Sequence, residues 1–192
     1  MTTPRILAFA GATRTQSWNK KLIRLGAEAV RRAGGEVTVI DLRDLPMPLY
    51  DGDIEAQDGL PAGARELKRL MLEHHGFLIS APEYNSSISA VLKNAIDWVS
   101  RPQPGEPPAP AFRGKVAGLL AASPGNLGGV RGLFTVRQVL TVLGTLVIPT
   151  QFGLARAREA FADDGSLKDP AHQNSVEGVA SELVRITARL NA

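Results

Sequence analysis

Apolar residues along the chain follow two rhythms. Five short apolar-rich runs stand apart from the rest: Arg5 to Gly11, which is nearly continuous, Glu36 to Leu42, Gly76 to Ala81, Lys115 to Ala122 and Thr145 to Pro149. A strand buried on both faces reads this way, so the runs predict parallel strands. Between them the spacing turns helical. From Ser17 to about Ala33, Leu22, Leu25, Ala29, Val30 and Ala33 share a stripe that Gly34 and Gly35 end. Further helices are predicted from about Ala62 to His74, from Ser89 to Val99 and from Gly129 to about Leu143. In the helix from Ser89 to Val99, Val91, Leu92, Ala95, Ile96 and Val99 are spaced for burial. A closing amphipathic helix, His172 to Leu190, carries Val176, Val179, Leu183, Ile186 and Leu190.

Five strands alternating with five helices predict a parallel α/β sheet with right-handed crossovers. Residues 43–61, with Pro46, Pro48, Gly52, Gly59 and Pro61, read as a long loop. The proline-rich residues 101–114 read as a second. Pro149 places the last strand at an edge or makes it a strand end. No repeat or linker divides the chain, so residues 1–192 are expected to form one domain.

Composition narrows the chemistry. There is no cysteine, which excludes disulfides, thiolate metal sites and a cysteine nucleophile. His74, His75 and His172 have no spacing partners for a metal, so no metal site is expected. The net charge is +3 and the pI about 9.5, with Lys and Arg spread along the chain, so nucleic acid is not an expected partner. No apolar run is long enough to span a membrane, and the start shows no signal-peptide pattern, so a cytoplasmic protein is expected.

In an open α/β sheet, ligands bind beyond the carboxyl ends of the strands. Three segments there carry unusual residues. Gly11-Ala12-Thr13-Arg14-Thr15-Gln16-Ser17-Trp18-Asn19 is neither G-x-G-x-x-G nor a triphosphate loop. It is dense in donors and opens a helix, which suits a phosphate; equally, Ser17 is placed to cap the helix and Arg14 to be a solvated charge. Pro82-Glu83-Tyr84-Asn85 can line a flat heteroaromatic ring or form an ordinary turn. Ser123-Pro124-Gly125-Asn126-Leu127-Gly128-Gly129 permits close backbone approach to a ligand, or is a plain strand-to-helix connection.

Together these segments resemble the NADPH-dependent FMN reductase family, which includes flavin, quinone, chromate and azo-dye reductases. The family's G-S-x-R-x-x-S-x-N loop corresponds to Gly11 to Asn19, with Ala12 where the family has serine. Its P-E-Y-N and L-K-N-A-I-D-W blocks correspond to Pro82–Asn85 and Leu92–Trp98. Its S-x-G-x-x-G-G-x-R block corresponds to Ser123–Arg131. The segment Leu45 to Asp51 is also in family style, and the resemblance runs from about residue 5 to about residue 151.

The resemblance implies a flavodoxin-like fold with strand order 2-1-3-4-5 and helices on both faces. It also implies an FMN-dependent NAD(P)H oxidoreductase, with NADPH or NADH passing electrons to a small oxidant such as a quinone, free flavin, chromate or azo compound. Thr13, Arg14, Ser17 and Asn19 are then expected around the FMN phosphate, and Pro82, Glu83, Tyr84 and Asn85 along the ring. Ser123, Gly125, Gly128 and Gly129 would lie on the ribityl side. No side chain is named as catalytic, because the flavin carries the chemistry. Trp98 is weighed as core or subunit contact, and Glu83 as a cap whose backbone faces the ring. A homodimer or homotetramer is implied. A flavodoxin-type electron carrier and a flavin-binding regulatory protein remain alternatives at this level; the mildly basic chain and its different phosphate loop set it apart from flavodoxins.

Overall fold

Strand residues with no polar face must be covered on both sides, and the chain does this with two layers of helices. The computed structural model describes residues 2–191. In chain order the elements are β1 (Arg5–Ala10), α1 (Trp18–Arg32), β2 (Glu36–Asp41), α2 (Gly52–Asp58), α3 (Ala62–Glu73) and β3 (Gly76–Ser80). Then come β4 (Glu83–Tyr84), β5 (Ser87–Ile88), α4 (Ala90–Val99), β6 (Val116–Ala122), α5 (Val130–Val142), β7 (Leu146–Leu154), α6 (Ala157–Ala160) and α7 (Pro170–Leu190).

The main sheet is parallel, in the order β2-β1-β3-β6-β7. Numbering only its five strands, this is the expected 2-1-3-4-5. Alternate residues of each central strand face opposite layers. Ile6, Ala8, Leu78 and Leu120 pack with Leu22 and Val30 of α1 and with Val179 and Leu183 of α7. Leu7, Phe9, Phe77, Ile79 and Leu119 pack with Leu67 and Met71 of α3, Leu92 and Ile96 of α4, and Leu133 and Val136 of α5. Among the described residues no helix is long and apolar enough to cross a membrane.

Five features depart from the sequence expectation. Residues 43–61 are not irregular throughout. A single 3-10 turn (Leu42–Asp44) extends β2, and α2 follows, capped by Asp51, whose carboxylate accepts from Asp53 N–H at 2.8 Å. No residue of α2 is fully buried, so its sequence carries no strong apolar period.

Pro82 to Asn85 lead into a hairpin of two-residue strands, β4 and β5, turning at Asn85 and Ser86 with φ of 50° and 64°. Left-handed backbone at both turn residues matches the twist of a tight hairpin.

β7 continues through Pro149 to Leu154. Its register against β6 shifts between Ala117, opposite Val147, and Leu119, opposite Gln151. Pro149 therefore sits in a bulge, where its missing N–H breaks no ladder, on the edge strand that its presence predicted. Arg137 covers the bulge carbonyls, donating to Val147 O at 3.2 Å and Ile148 O at 2.9 Å.

α7 begins at Pro170, two residues before the expected start. Asp169 caps it by accepting from Ala171 N–H at 2.8 Å. Proline suits a first helical position, where its missing donor has no partner in any case. The short α6 was not expected either.

Residues 101–114 are irregular, as expected. The loop is tied to α3 by the buried Lys68, which donates to Arg101 O at 2.9 Å and pairs with Glu106. Trp98 is fully buried with Leu60 and Ala64. Its indole donates to Pro48 O at 2.8 Å, and its ring meets Tyr50 edge-on at 5.0 Å. The core reading of Trp98 is the one the structure supports.

Candidate functional site

Three strands release their chains toward one cleft. Gly11, just beyond β1, donates its N–H to Ser80 O at 2.9 Å and accepts from the Ser89 hydroxyl at 2.6 Å. A Cβ at Gly11 would stand 2.8 Å from the Cβ of Leu92, so the chain can leave β1 over α4 only with glycine there. Residues 12–16 then arch to α1.

Ser17 is the amino-terminal cap of α1 by position, yet its side chain makes no capping bond. It is nearly buried, at 5% exposure, and lines the cleft. The first turn of α1 holds no acidic residue, so its partial positive charge is uncompensated from within the helix. Arg14 is exposed beside it, with its guanidinium 5.1 Å from the centre of the Trp18 ring. Among the described residues Arg14 pairs with no carboxylate.

Asn19 also borders the cleft, but its amide is committed inside the protein. Its Nδ2 donates to Ala122 O at 2.9 Å, while its Oδ1 accepts from the Ser80 hydroxyl and from Ala122 N–H, each at 2.9 Å. Asn19 thus braces the ends of β3 and β6 under the loop, with one of its two amide N–H groups engaged there.

Beyond β3, Pro82 and Tyr84 face the cleft, with Tyr84 63% exposed. The Glu83 carboxylate turns to α5, accepting from Arg131 Nε at 2.8 Å and from Gly132 N–H at 3.1 Å. Burial opposes its charge. The Arg131 guanidinium and the helix N–H outweigh that opposition and hold the carboxyl below its ordinary range. The cap reading of Glu83 is what its side chain does.

Beyond β6, Ser123 lines the cleft, and its hydroxyl accepts from Gly125 N–H at 3.2 Å. Gly128 and Gly129 both have positive φ. A Cβ at Gly128 would lie 2.4 Å from Gly153 O, and one at Gly129 would lie 2.9 Å from the Ala121 side chain. The close approach these glycines permit is to the protein's own backbone and core.

The cleft measures about 730 Å³, within the range of small-molecule sites. It gathers Thr13, Arg14, Ser17, Asn19, Pro82, Glu83, Tyr84 and Ser123 from the expected set. Asn85, Gly125, Gly128 and Gly129 do not line it. Sequence reasoning missed Trp18, Ser89, Ala90, Val91, Ala122 and Pro124. The amino terminus of α4 was findable through Ser89, whose hydroxyl accepts from Leu92 N–H and caps the helix. Trp18 fell on an unspecified position of the loop pattern. Among the lining residues only Arg14, Glu83 and Tyr84 are ionisable, and no metal-binding cluster exists among the described residues.

Comparison with known proteins places the whole chain. The family described as NADPH-dependent FMN reductase matches residues 4–159, a span that includes every cleft residue. A probable NADPH:quinone oxidoreductase of Oryza sativa subsp. japonica is 33% identical over 190 residues, 97% of this chain and 90% of that protein. An NAD(P)H-dependent FMN reductase of Pseudomonas aeruginosa is 33% identical over 167 residues, 86% of this chain and 85% of that protein. Among solved structures, a flavoenzyme NAD(P)H:(acceptor) oxidoreductase of Paracoccus denitrificans superposes with a TM-score of 0.80 at 25% identity, covering 97% of this chain and 98% of that one.

Proposed function

The chain belongs to the NADPH-dependent FMN reductase family and is an oxidoreductase, and from that premise we propose that its cleft binds FMN and serves electron transfer from NADPH, or NADH, to a small oxidant. The observation that carries this reading is the open amino terminus of α1. A nearly buried hydroxyl without a capping bond and an unpaired guanidinium flank it, at the end of β1. Helix N–H groups and a cation in that arrangement suit a phosphate dianion. The adjoining walls, Trp18, Pro82, Tyr84 and Val91, are flat or apolar and suit a ring system. The residues therefore fit the group.

On this reading Arg14, Ser17 and the loop backbone at Thr13 hold the phosphate. Residues 82–84 bound the ring, and Ser123 closes the side between them. Bound FMN supplies the hydride-accepting and hydride-donating chemistry. The chain's own part is to bind, orient and exclude water, because Glu83 is engaged with α5 and no cleft side chain stands free as an acid–base pair. Relatives named for quinone reduction support a quinone as oxidant. A homodimer is the proposed assembly, in line with the prevalence of closed symmetric dimers; light scattering at micromolar concentration tests it, and a monomer mass overturns it.

Titration of flavin-free protein with FMN, FAD and riboflavin tests the site. FMN is expected to bind tightest. Tighter binding of FAD, or equal binding of riboflavin, would sink the phosphate assignment. Steady oxidation of NADPH in the presence of a quinone separates the enzyme from a flavin carrier or regulator that does not turn over.

A further inference from the structure

We propose that Lys20, which does not line the cleft, is a positioning residue for the phosphate loop, acting through the Thr13 carbonyl. The inference rests on the reading that this loop holds the FMN phosphate. Lys20 sits in the first turn of α1 and is only 7% exposed. Its ammonium donates to Thr13 O at 3.2 Å and to Asp41 Oδ2 at 2.5 Å, at the carboxyl end of β2. Asp41 reaches further: its Oδ1 accepts from Arg43 N–H at 3.0 Å, and the Arg43 guanidinium donates to the Thr15 hydroxyl at 2.5 Å. The loop is thus tethered at Thr13 and Thr15 from one cluster, Lys20, Asp41 and Arg43.

Little else holds it. Among the described residues, the one further hydrogen bond made by residues 12–16 is Arg14 O accepting from Ser17 N–H at 3.2 Å. Residues 13–16 are all exposed. A buried ammonium is costly unless paired, and Asp41 provides that partner beneath the loop. A loop ordered before the ligand arrives binds it more tightly, because the ordering cost falls on folding and not on binding. Lys20 contributes to FMN affinity by fixing where Thr13 and Arg14 stand.

The test compares FMN with riboflavin, which has the same ring and side chain and no phosphate. Flavin fluorescence quenching gives both dissociation constants on the full chain freed of flavin. Lys20→Met is expected to raise the FMN constant about tenfold and leave that of riboflavin within twofold. A purely structural role would move both together, or move only the melting temperature, and either result overturns the proposal. Asp41→Asn added to Lys20→Met removes the carboxylate charge that the single change leaves without its ammonium. Thermal stability is expected to recover while the ratio of the FMN to the riboflavin dissociation constant stays raised by about tenfold. Recovery of the ratio would assign the defect to the Asp41 charge and overturn the positioning role. A wild-type protein that does not prefer FMN to riboflavin would overturn the phosphate-site reading itself, a different result from a wild-type preference that survives Lys20→Met.

Discussion

At the amino end of the sheet, helix α3 stops against groups supplied by two strands. Arg5, opening β1, donates to Glu73 O from Nε at 3.0 Å and from Nη2 at 2.8 Å. Lys115, just before β6, donates to Leu72 O at 3.0 Å and His74 O at 2.5 Å. His74 Nδ1 donates to Leu70 O at 2.6 Å, and its Nε2 lies 2.9 Å from the Thr38 hydroxyl. At the carboxyl end, α1 starts with no capping side chain, and Arg14 stands without an acidic partner. Both helix ends carry backbone groups with no partner in their own helix. At one end the side chains of Arg5, His74 and Lys115 meet the carbonyls of Leu70, Leu72 and Glu73; the other has no capping side chain and, on the proposed reading, receives a phosphate. Openness at α1 is selective even within the carboxyl end, since Glu83 closes the start of α5 a short distance away.

If the two ends divide stability from binding, substitutions should separate the two properties. Arg14→Ala is expected to weaken FMN binding by about 10- to 150-fold, the range for losing a hydrogen bond to a charged group. The melting temperature should be unchanged, because the side chain is exposed. Unchanged affinity in a flavin titration would remove Arg14 from the phosphate site.

Lys115→Met should do the reverse. It strips two carbonyls of their donor, but burial already opposes the ammonium and pushes its pKa down, so the net loss is at the low end, about 1 kcal/mol. For a chain of this length that corresponds to a fall of about 2–4 °C. Flavin affinity should not move. A calorimetric scan with no shift would show that the saturated end contributes nothing.

A smaller effect should appear with pH. His75 Nδ1 accepts from Arg5 N–H at 3.1 Å, which only the neutral ring can do. Burial first, then the charges of Arg5, Lys115 and His74, holds the imidazole below its usual 6.5. The folded state therefore binds fewer protons than the unfolded state, and stability rises with pH toward 6.5 and falls as pH drops below it. His75→Asn keeps an acceptor and should flatten that slope between pH 7 and pH 5. A slope that persists in the variant would place the titration elsewhere.

The smallest effect is expected from Ala12→Ser at the open end. Ala12 lines the cleft at 9% exposure. An added hydroxyl should leave FMN affinity alone or improve it by about twofold, the low end for one hydrogen bond. A large loss would mean that the loop follows a different path from that of the family's serine.

How much of this was readable beforehand depended on the range of the information. The central strands were, because burial on both faces leaves almost no polar residue in Phe77–Ile79 or Val116–Ala122. The cleft was located by three motifs at three strand ends. What each motif residue does was less legible. Asn19 reads as a phosphate donor, yet its partners at Ala122 lie 103 positions away. Gly128 reads as clearance for a ligand, yet it clears Gly153. A motif gives residue types and spacing; the direction of a side chain is decided by neighbours that the local string does not contain. The β4–β5 hairpin was missed for a simpler reason, since strands of two residues are too short to show a period.

The bulge in β7 has a consequence apart from catalysis. An edge strand offers unpaired N–H and C=O groups on which another chain can build, and a nine-residue edge of mostly uncharged residues is a hazard for self-association. Pro149 removes a donor near the middle of that edge, the bulge bends it, and Arg137 places a cation over carbonyls that an incoming strand would need. The rim of the sheet is thereby broken into two short stretches, neither long enough to nucleate a cross-β stack.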